Sequence, residues 1–121
     1  MIVGIIGLGL KRRGFARIVL GVEADPVNAA AAERMELVDE IVPFEECVRR
    51  SDITVIAIPV GSAVKMLPQV LDIFKEEGNG KKIVIDTCST KSNIVRAAHY
   101  HPLRGRFVAT HPMAGTEYSG P

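Results

Sequence analysis

The feature that most constrains this chain is a series of short, β-branched apolar runs that do not alternate with polar residues, at 2–6, 18–22, 53–58, 83–85 and 107–109. A strand covered on one face alternates, whereas an unbroken run suits a strand covered on both faces, as in a parallel sheet. Helical patterns lie between the runs. Asp25-Pro26 ahead of residues 27–35 reads as an N-cap followed by Pro at the first helical position, and the Ala-rich stretch favours helix. Ala63, Met66, Leu67, Val70, Leu71 and Phe74 share one helix face, with Pro68 expected to kink that helix or start a new segment and Gly78-Asn79-Gly80 to stop it. A further helix is expected over about residues 90–98. Strands alternating with helices predict a doubly wound α/β fold with a mainly parallel sheet, whose ligands bind at the carboxyl ends of the strands.

The 121 residues, 47% hydrophobic and 24% charged, suit a single domain over 1–121 with its own core. Fifteen Lys and Arg are scattered against fourteen Asp and Glu for a net charge of +1, so no basic face points to nucleic acid or an anionic membrane. A small-molecule ligand is the expected partner. Cys47 and Cys88 lack a Cys-x-x-Cys partner or metal-ligand spacing, which predicts reduced thiols, no metal site and a cytoplasmic location. The apolar opening reaches Lys11 and Arg12 too soon for a secretory or membrane-spanning segment, and reads as a buried strand.

Ile5-Ile6-Gly7-Leu8-Gly9 ends that strand with the start of a dinucleotide fingerprint, in which Gly7 and Gly9 permit a tight turn and let backbone N–H groups approach a pyrophosphate. The third glycine is absent: its position holds Arg12, and Gly14 is out of register. Glu23, at the end of the second apolar run, can accept hydrogen bonds from the adenosine ribose hydroxyls and repel a 2′-phosphate, which favours NAD over NADP. A solvated strand-end carboxylate is the competing reading. For Asp25, helix capping is favoured over cofactor contact.

Chain length exposes an anomaly between these two features. A strand of five residues is roughly 17 Å long, and a helix rising about 1.5 Å per residue needs on the order of eleven residues to return along it. Only residues 10–16 lie between Gly9 and the second run. The first crossover helix is therefore expected to be missing or truncated, by on the order of ten residues after Leu10. A true deletion and a stretch not represented in the sequence as written both fit. A deletion would weaken the pyrophosphate site and uncover one face of the sheet.

The last segment is the most specific. His111-Pro112-Met113-Ala114-Gly115-Thr116-Glu117 follows the 107–109 run, and Asp86-Thr87-Cys88-Ser89-Thr90-Lys91 closes the run before it. With Gly7-Leu8-Gly9-Leu10 and Ala57-Ile58-Pro59, these stretches closely resemble the prephenate dehydrogenase family over nearly the whole chain, departing at positions 10–16. The resemblance implies a Rossmann-like nucleotide-binding domain and NAD-dependent oxidation of a cyclohexadienyl C4 alcohol with loss of carbon dioxide, as in tyrosine biosynthesis. It implies that His111 hydrogen-bonds the ring hydroxyl, a task suited to a neutral imidazole, and that Ser89 bridges this histidine and the cofactor. Lys91, Thr116 and Glu117 match substrate-side positions. Leu8, Leu10, Pro59, Val60 and Thr87 join Gly7, Gly9 and Glu23 as cofactor positions.

Other roles compete with these. His111 before Pro could simply end a strand, and Ser89 could cap a helix. Cys88 reads as a small buried residue, His99 and His101 as solvated, and Arg104 and Arg106 as a solvated turn. The resemblance further implies a second, mainly helical domain that forms a homodimer and completes the substrate site, so this chain alone is expected to be inactive. Prephenate and arogenate both fit as substrates. The alternatives are another two-domain hydroxyacid-type dehydrogenase and a non-catalytic NAD-binding module.

Overall fold

A computed structural model describes residues 9–78 and 80–111. The expected first strand, Gly7, Leu8, Thr116 and Glu117 lie outside the described residues. Described secondary structure opens with one helical turn at 9–12, and the chain then passes through a loop into β1 (Leu20–Gly21). There follow α1 (Pro26–Arg34), β2 (Glu40–Ile41), α2 (Phe44–Arg50), β3 (Ile53–Ile56), α3 (Val60–Glu77), β4 (Ile83–Asp86), α4 (Ser92–Ala98), a 3-10 turn (Arg104–Arg106) and β5 (Phe107–Val108). All pairings are parallel: β1 with β2, and β3–β4–β5 in that order, so α3 and α4 are crossover helices between neighbouring strands. The α/β fold with a truncated first crossover is as the sequence predicts. The second apolar run is strand only at Leu20–Gly21, and the last helix begins at Ser92 rather than near 90.

The core gathers around α3. Ala63, Leu67, Val70, Leu71, Ile73 and Phe74 are buried on its inner face and pack with Val48 of α2, Ile56 of β3, Val84 of β4, and Ile94 and Ala98 of α4. Burying a Leu or Phe side chain is worth about 1.5–3 kcal/mol, so this one stripe supplies much of the domain's stability. Pro68 starts no new segment: α3 is continuous from Val60 to Glu77. Proline lacks the N–H that would bond one turn back, but Leu67 and Val70 are buried on either side of it and hold the helix to the sheet. Gly78 ends α3 in the left-handed region at φ 65°, with its N–H on Phe74 and Lys75 carbonyls. Gly78→Ala should cost about 1–2 kcal/mol for the Cβ in that conformation, a loss measurable by urea denaturation.

Two elements were not expected. β2 is only two residues long. α2 places Glu45 and Glu46 in its first turn and Arg49 and Arg50 in its last, matching the helix dipole, with i,i+4 ion pairs Glu45–Arg49 and Glu46–Arg50. Buried Lys82 closes the carboxyl end of α2: its ammonium donates to the Val48 and Arg49 carbonyls and pairs with Glu77 at 2.7 Å.

The β1–α1–β2 half is thin by comparison. Asp25 caps α1 as expected, its Oδ1 accepting from Val27 N at 2.8 Å, with Pro26 at the first helical position. No residue of α1 is buried, and Phe15, Ile18, Val22, Val27 and Met35 are exposed. These exposed side chains lie in the loops around β1 and on or just after α1, not on the strands. Lys11 in the helical turn pairs with Asp39, which also accepts from Val19 N at 2.7 Å, tying the turn to the start of β1 and β2.

Candidate cofactor and catalytic site

Glu23, Pro59, Val60, Thr87, Ser89, Lys91 and His111 follow the carboxyl ends of β1, β3, β4 and β5, while Gly9 and Leu10 precede β1. Gly9 opens the helical turn at 9–12, and a Cβ built on it would meet nothing within 4 Å. Leu10 is partly buried in the same turn, and Arg12, at the third-glycine position, is exposed. Glu23 lies two residues beyond β1, exposed, with Oε1 accepting from Asp25 N at 3.0 Å. That bond steadies the carboxylate and leaves Oε2 with no hydrogen-bond partner among the described residues, an arrangement suited to a ribose hydroxyl. Pro59 and Val60 form the start of α3 beyond β3, and Thr87 N donates to the Ile56 carbonyl at 3.1 Å, joining the ends of β3 and β4. Gly9 and the strand-end acid Glu23 are residue types that suit a dinucleotide, while the single helical turn at 9–12 brings only a short helix's dipole to a pyrophosphate.

Beyond β4 and β5 the structure brings together what the sequence separates. Asp86, the last residue of β4, is fully buried. Its Oδ1 accepts from Thr110 N at 3.0 Å, its Oδ2 accepts from Cys88 N at 3.0 Å and from Lys91 Nζ, and its carbonyl accepts from the Thr110 hydroxyl. Burial pushes the Asp86 carboxyl up, but the Lys91 ammonium and the Thr110 and Cys88 N–H groups outweigh it and hold it below the usual carboxylate range. With a lowered folded-state value, this carboxylate contributes stability above its unfolded value of about 3.9, and that contribution is lost as pH falls through the folded value.

Ser89 and His111 are exposed, one residue beyond Cys88 and Thr110 respectively. Ser89 does not cap α4, because the N-cap position is Lys91 and no side chain bonds there. Lys91 is committed to Asp86, with its side chain 30% exposed. Cys88 is buried, and burial followed by the charge of Asp86 pushes its thiol up, the opposite of what a nucleophile needs. His101 corrects the expectation of a solvated ring. Its side chain is 11% exposed, Nδ1 accepts from Leu103 N at 3.0 Å, and Nε2 lies 2.7 Å from Asp72 of α3. His99 is exposed and meets Tyr100 edge-on at 4.7 Å. Arg104 and Arg106 donate to the His99 and Lys82 carbonyls, so neither is simply solvated.

A polar cleft of about 470 Å³ lies at the opposite, amino ends of β3 and β4, lined by Arg49, Arg50, Asp52, Glu77 and Lys82. Its arginines are engaged by Glu45, Glu76, Glu40 and Glu46, which makes it an ion-pair lattice rather than an anion site. Among the described residues, no helix is long and apolar enough to cross a membrane.

Parallel strands with crossover helices, a glycine turn and a strand-end acid define a nucleotide-binding domain of the dehydrogenase type. The family model for the prephenate dehydrogenase nucleotide-binding domain matches residues 6–121, and the chain belongs to that family. Prephenate dehydrogenase of Bacillus subtilis (strain 168) is 30% identical over 122 residues, covering 99% of this chain, and that of Lactococcus lactis subsp. cremoris (strain MG1363) is 29% identical over 117 residues, covering 95%. The chain spans 32% of the length of each. A prephenate dehydrogenase from Aquifex aeolicus, solved with hydroxyphenyl propionate and NAD+, superposes with a TM-score of 0.68 at 24% identity, covering 94% of this chain and 39% of that one. A second structure of the enzyme from that organism gives a TM-score of 0.70 at 23% identity, covering 94% and 40%. At this identity the superpositions establish the fold.

Proposed function

We propose that this chain is the NAD-binding part of a cytoplasmic, homodimeric enzyme that converts prephenate to 4-hydroxyphenylpyruvate by oxidative decarboxylation, in tyrosine biosynthesis. The observation that carries the reading is the placement of His111 directly beyond β5, beside the β4 end that bears Ser89 and Lys91, in a chain of this family. In this reading Gly7, Leu8, Gly9 and Leu10 form the pyrophosphate turn and Glu23 takes the adenosine ribose. Pro59, Val60 and Thr87 line the path toward the nicotinamide. NAD, when bound, supplies the hydride acceptor.

The chain's own residues do the rest. His111 accepts the hydrogen bond of the C4 hydroxyl at a ring nitrogen and takes its proton as the carbon gains carbonyl character. Ser89 can donate and accept at once, so it can orient both the histidine and the cofactor. Thr116 and Glu117 stand on the substrate side. Lys91 acts through Asp86, and the substrate carboxylates are met by a further helical domain, as the greater length of the relatives suggests. Arogenate is the competing substrate, and it would leave these roles unchanged. One other reading is a non-catalytic module that senses NAD, since half an active site can still report the nucleotide.

Calorimetric titration of the chain with NAD, with NADP as the control, tests the cofactor assignment. Saturable NAD binding is expected, with NADP weaker by at least about tenfold, or about 1.4 kcal/mol, because the 2′-phosphate would face Glu23. Equal binding of the two would remove Glu23 from the ribose site, and no binding would remove the cofactor assignment. Turnover of prephenate and arogenate by the protein at its natural length separates the two enzymatic readings from the sensing module.

A further inference from the structure

Asp86 is not explained by cofactor binding or by proton transfer. An ionised carboxylate with no exposed surface is costly, by several kcal/mol before its partners are counted, and ending a parallel strand does not require one. A serine or asparagine could satisfy one nearby N–H. What a carboxylate adds is two oxygens that only accept, and here they are divided between two segments of the chain. Oδ2 holds the Cys88 N–H, one residue before Ser89, and Oδ1 holds the Thr110 N–H, one residue before His111. The Thr110 hydroxyl bonds the Asp86 carbonyl, so the β5 end is held at two points. Lys91 supplies the compensating charge from the same loop as Ser89.

We infer that Asp86 is a positioning residue: its carboxylate fixes the separation and relative direction of the Ser89 and His111 segments across the ends of β4 and β5. The inference rests on the roles proposed above for those two residues. Holding the Cys88 and Thr110 N–H groups fixes the planes of the 87–88 and 109–110 peptides, so one buried group anchors the chain one residue before each of Ser89 and His111. Misplacement of such a pair by about 1 Å can cost about 100-fold in rate without weakening the binding of a cofactor held elsewhere.

The test is Asp86→Asn in the protein at its natural length, with steady-state kinetics and thermal unfolding measured together. The amide has the same shape, but its NH₂ would face one of the two backbone donors. The expected result for folded variant is a loss of about 100-fold in kcat with KM for NAD within about twofold. A merely structural carboxylate would lower the melting temperature and leave the kcat of the folded protein within about threefold, and that result overturns the inference. Should the variant fail to fold, Asp86→Glu takes its place. It keeps the charge that faces Lys91 but displaces both oxygens by a methylene, and a fall of about tenfold in kcat with KM for NAD preserved supports the inference, while an unchanged kcat overturns it.

Absence of turnover in the unmodified protein would count against the proposed reaction and leave the positioning role to be decided by amide NMR. Spectra of the chain and its Asp86→Asn variant should then show the Cys88 and Thr110 amide protons shifting together with the Ser89 and His111 signals. Shifts confined to Cys88 and Thr110 would overturn the inference.

Discussion

Replacing His111 with asparagine is expected to lower kcat for prephenate oxidation by about 10²–10⁴-fold in the protein at its natural length, with KM for NAD little changed. Asparagine keeps a polar group of similar reach, so the substrate hydroxyl can still be met by a hydrogen bond. An amide cannot take a proton, however, and general base assistance is lost. The effect should appear in kcat and kcat/KM alike, the pattern of an interaction made in the transition state. Steady-state kinetics with calorimetric NAD binding as a companion would check it. An unchanged kcat would return His111 to the role of a residue that ends a strand.

Phe74→Ala is the second large effect, and it acts on the fold rather than the chemistry. Phe74 is 1% exposed near the end of α3, inside the cluster that joins α2, α3, α4, β3 and β4. Removing a buried phenylalanine side chain costs about 3–5 kcal/mol, from lost burial and the cavity left behind. Domains of this size are stable by only about 5–15 kcal/mol, so the variant should unfold at much lower denaturant or be largely unfolded in buffer. Urea denaturation followed by circular dichroism decides it. A loss below about 1 kcal/mol would mean that the α3 stripe does not dominate the stability of the domain.

Much of this architecture was legible because it rests on local rules. The apolar stripe of α3, its glycine stop and the Asp25 cap on α1 follow from side-chain spacing and from backbone groups a few residues away. The elements that were missed depend on partners farther off. β2 exists because Glu40 and Ile41 lie alongside Leu20 and Gly21, and two residues carry no period. α2 did leave a signal: acids in its first turn, bases in its last and two i,i+4 pairs within Phe44–Arg50. Its single buried residue, Val48, gave no apolar stripe to notice. His101 looked solvated between Tyr100 and Pro102, but its partner Asp72 is on α3, 29 positions away.

The candidate site divides the same way. Gly9, Glu23 and His111 could be singled out from strand ends and motif spacing; Glu23 follows β1 and His111 follows β5, while Gly9 opens the helical turn that precedes β1. Asp86 was visible only as the first letter of a motif. Its role depends on Thr110, 24 positions on, which pairing of β4 with β5 brings to its carboxylate. A lone acid at the end of an apolar run is the signal that could have marked it, since such a group must be paired if it is buried.

The absence of any buried residue on α1 has a consequence for how a nucleotide would be held. β1, α1 and β2 contribute little to the central cluster, so this half of the domain can open locally at low free-energy cost while α3 and its strands stay folded. Glu23 sits on that loosely held half, and His111 beside the firmly held one. A dinucleotide bridging the two would therefore bind and order its own adenosine end in one linked step, and its measured affinity would be lowered by the fraction of molecules in which that end is already in place.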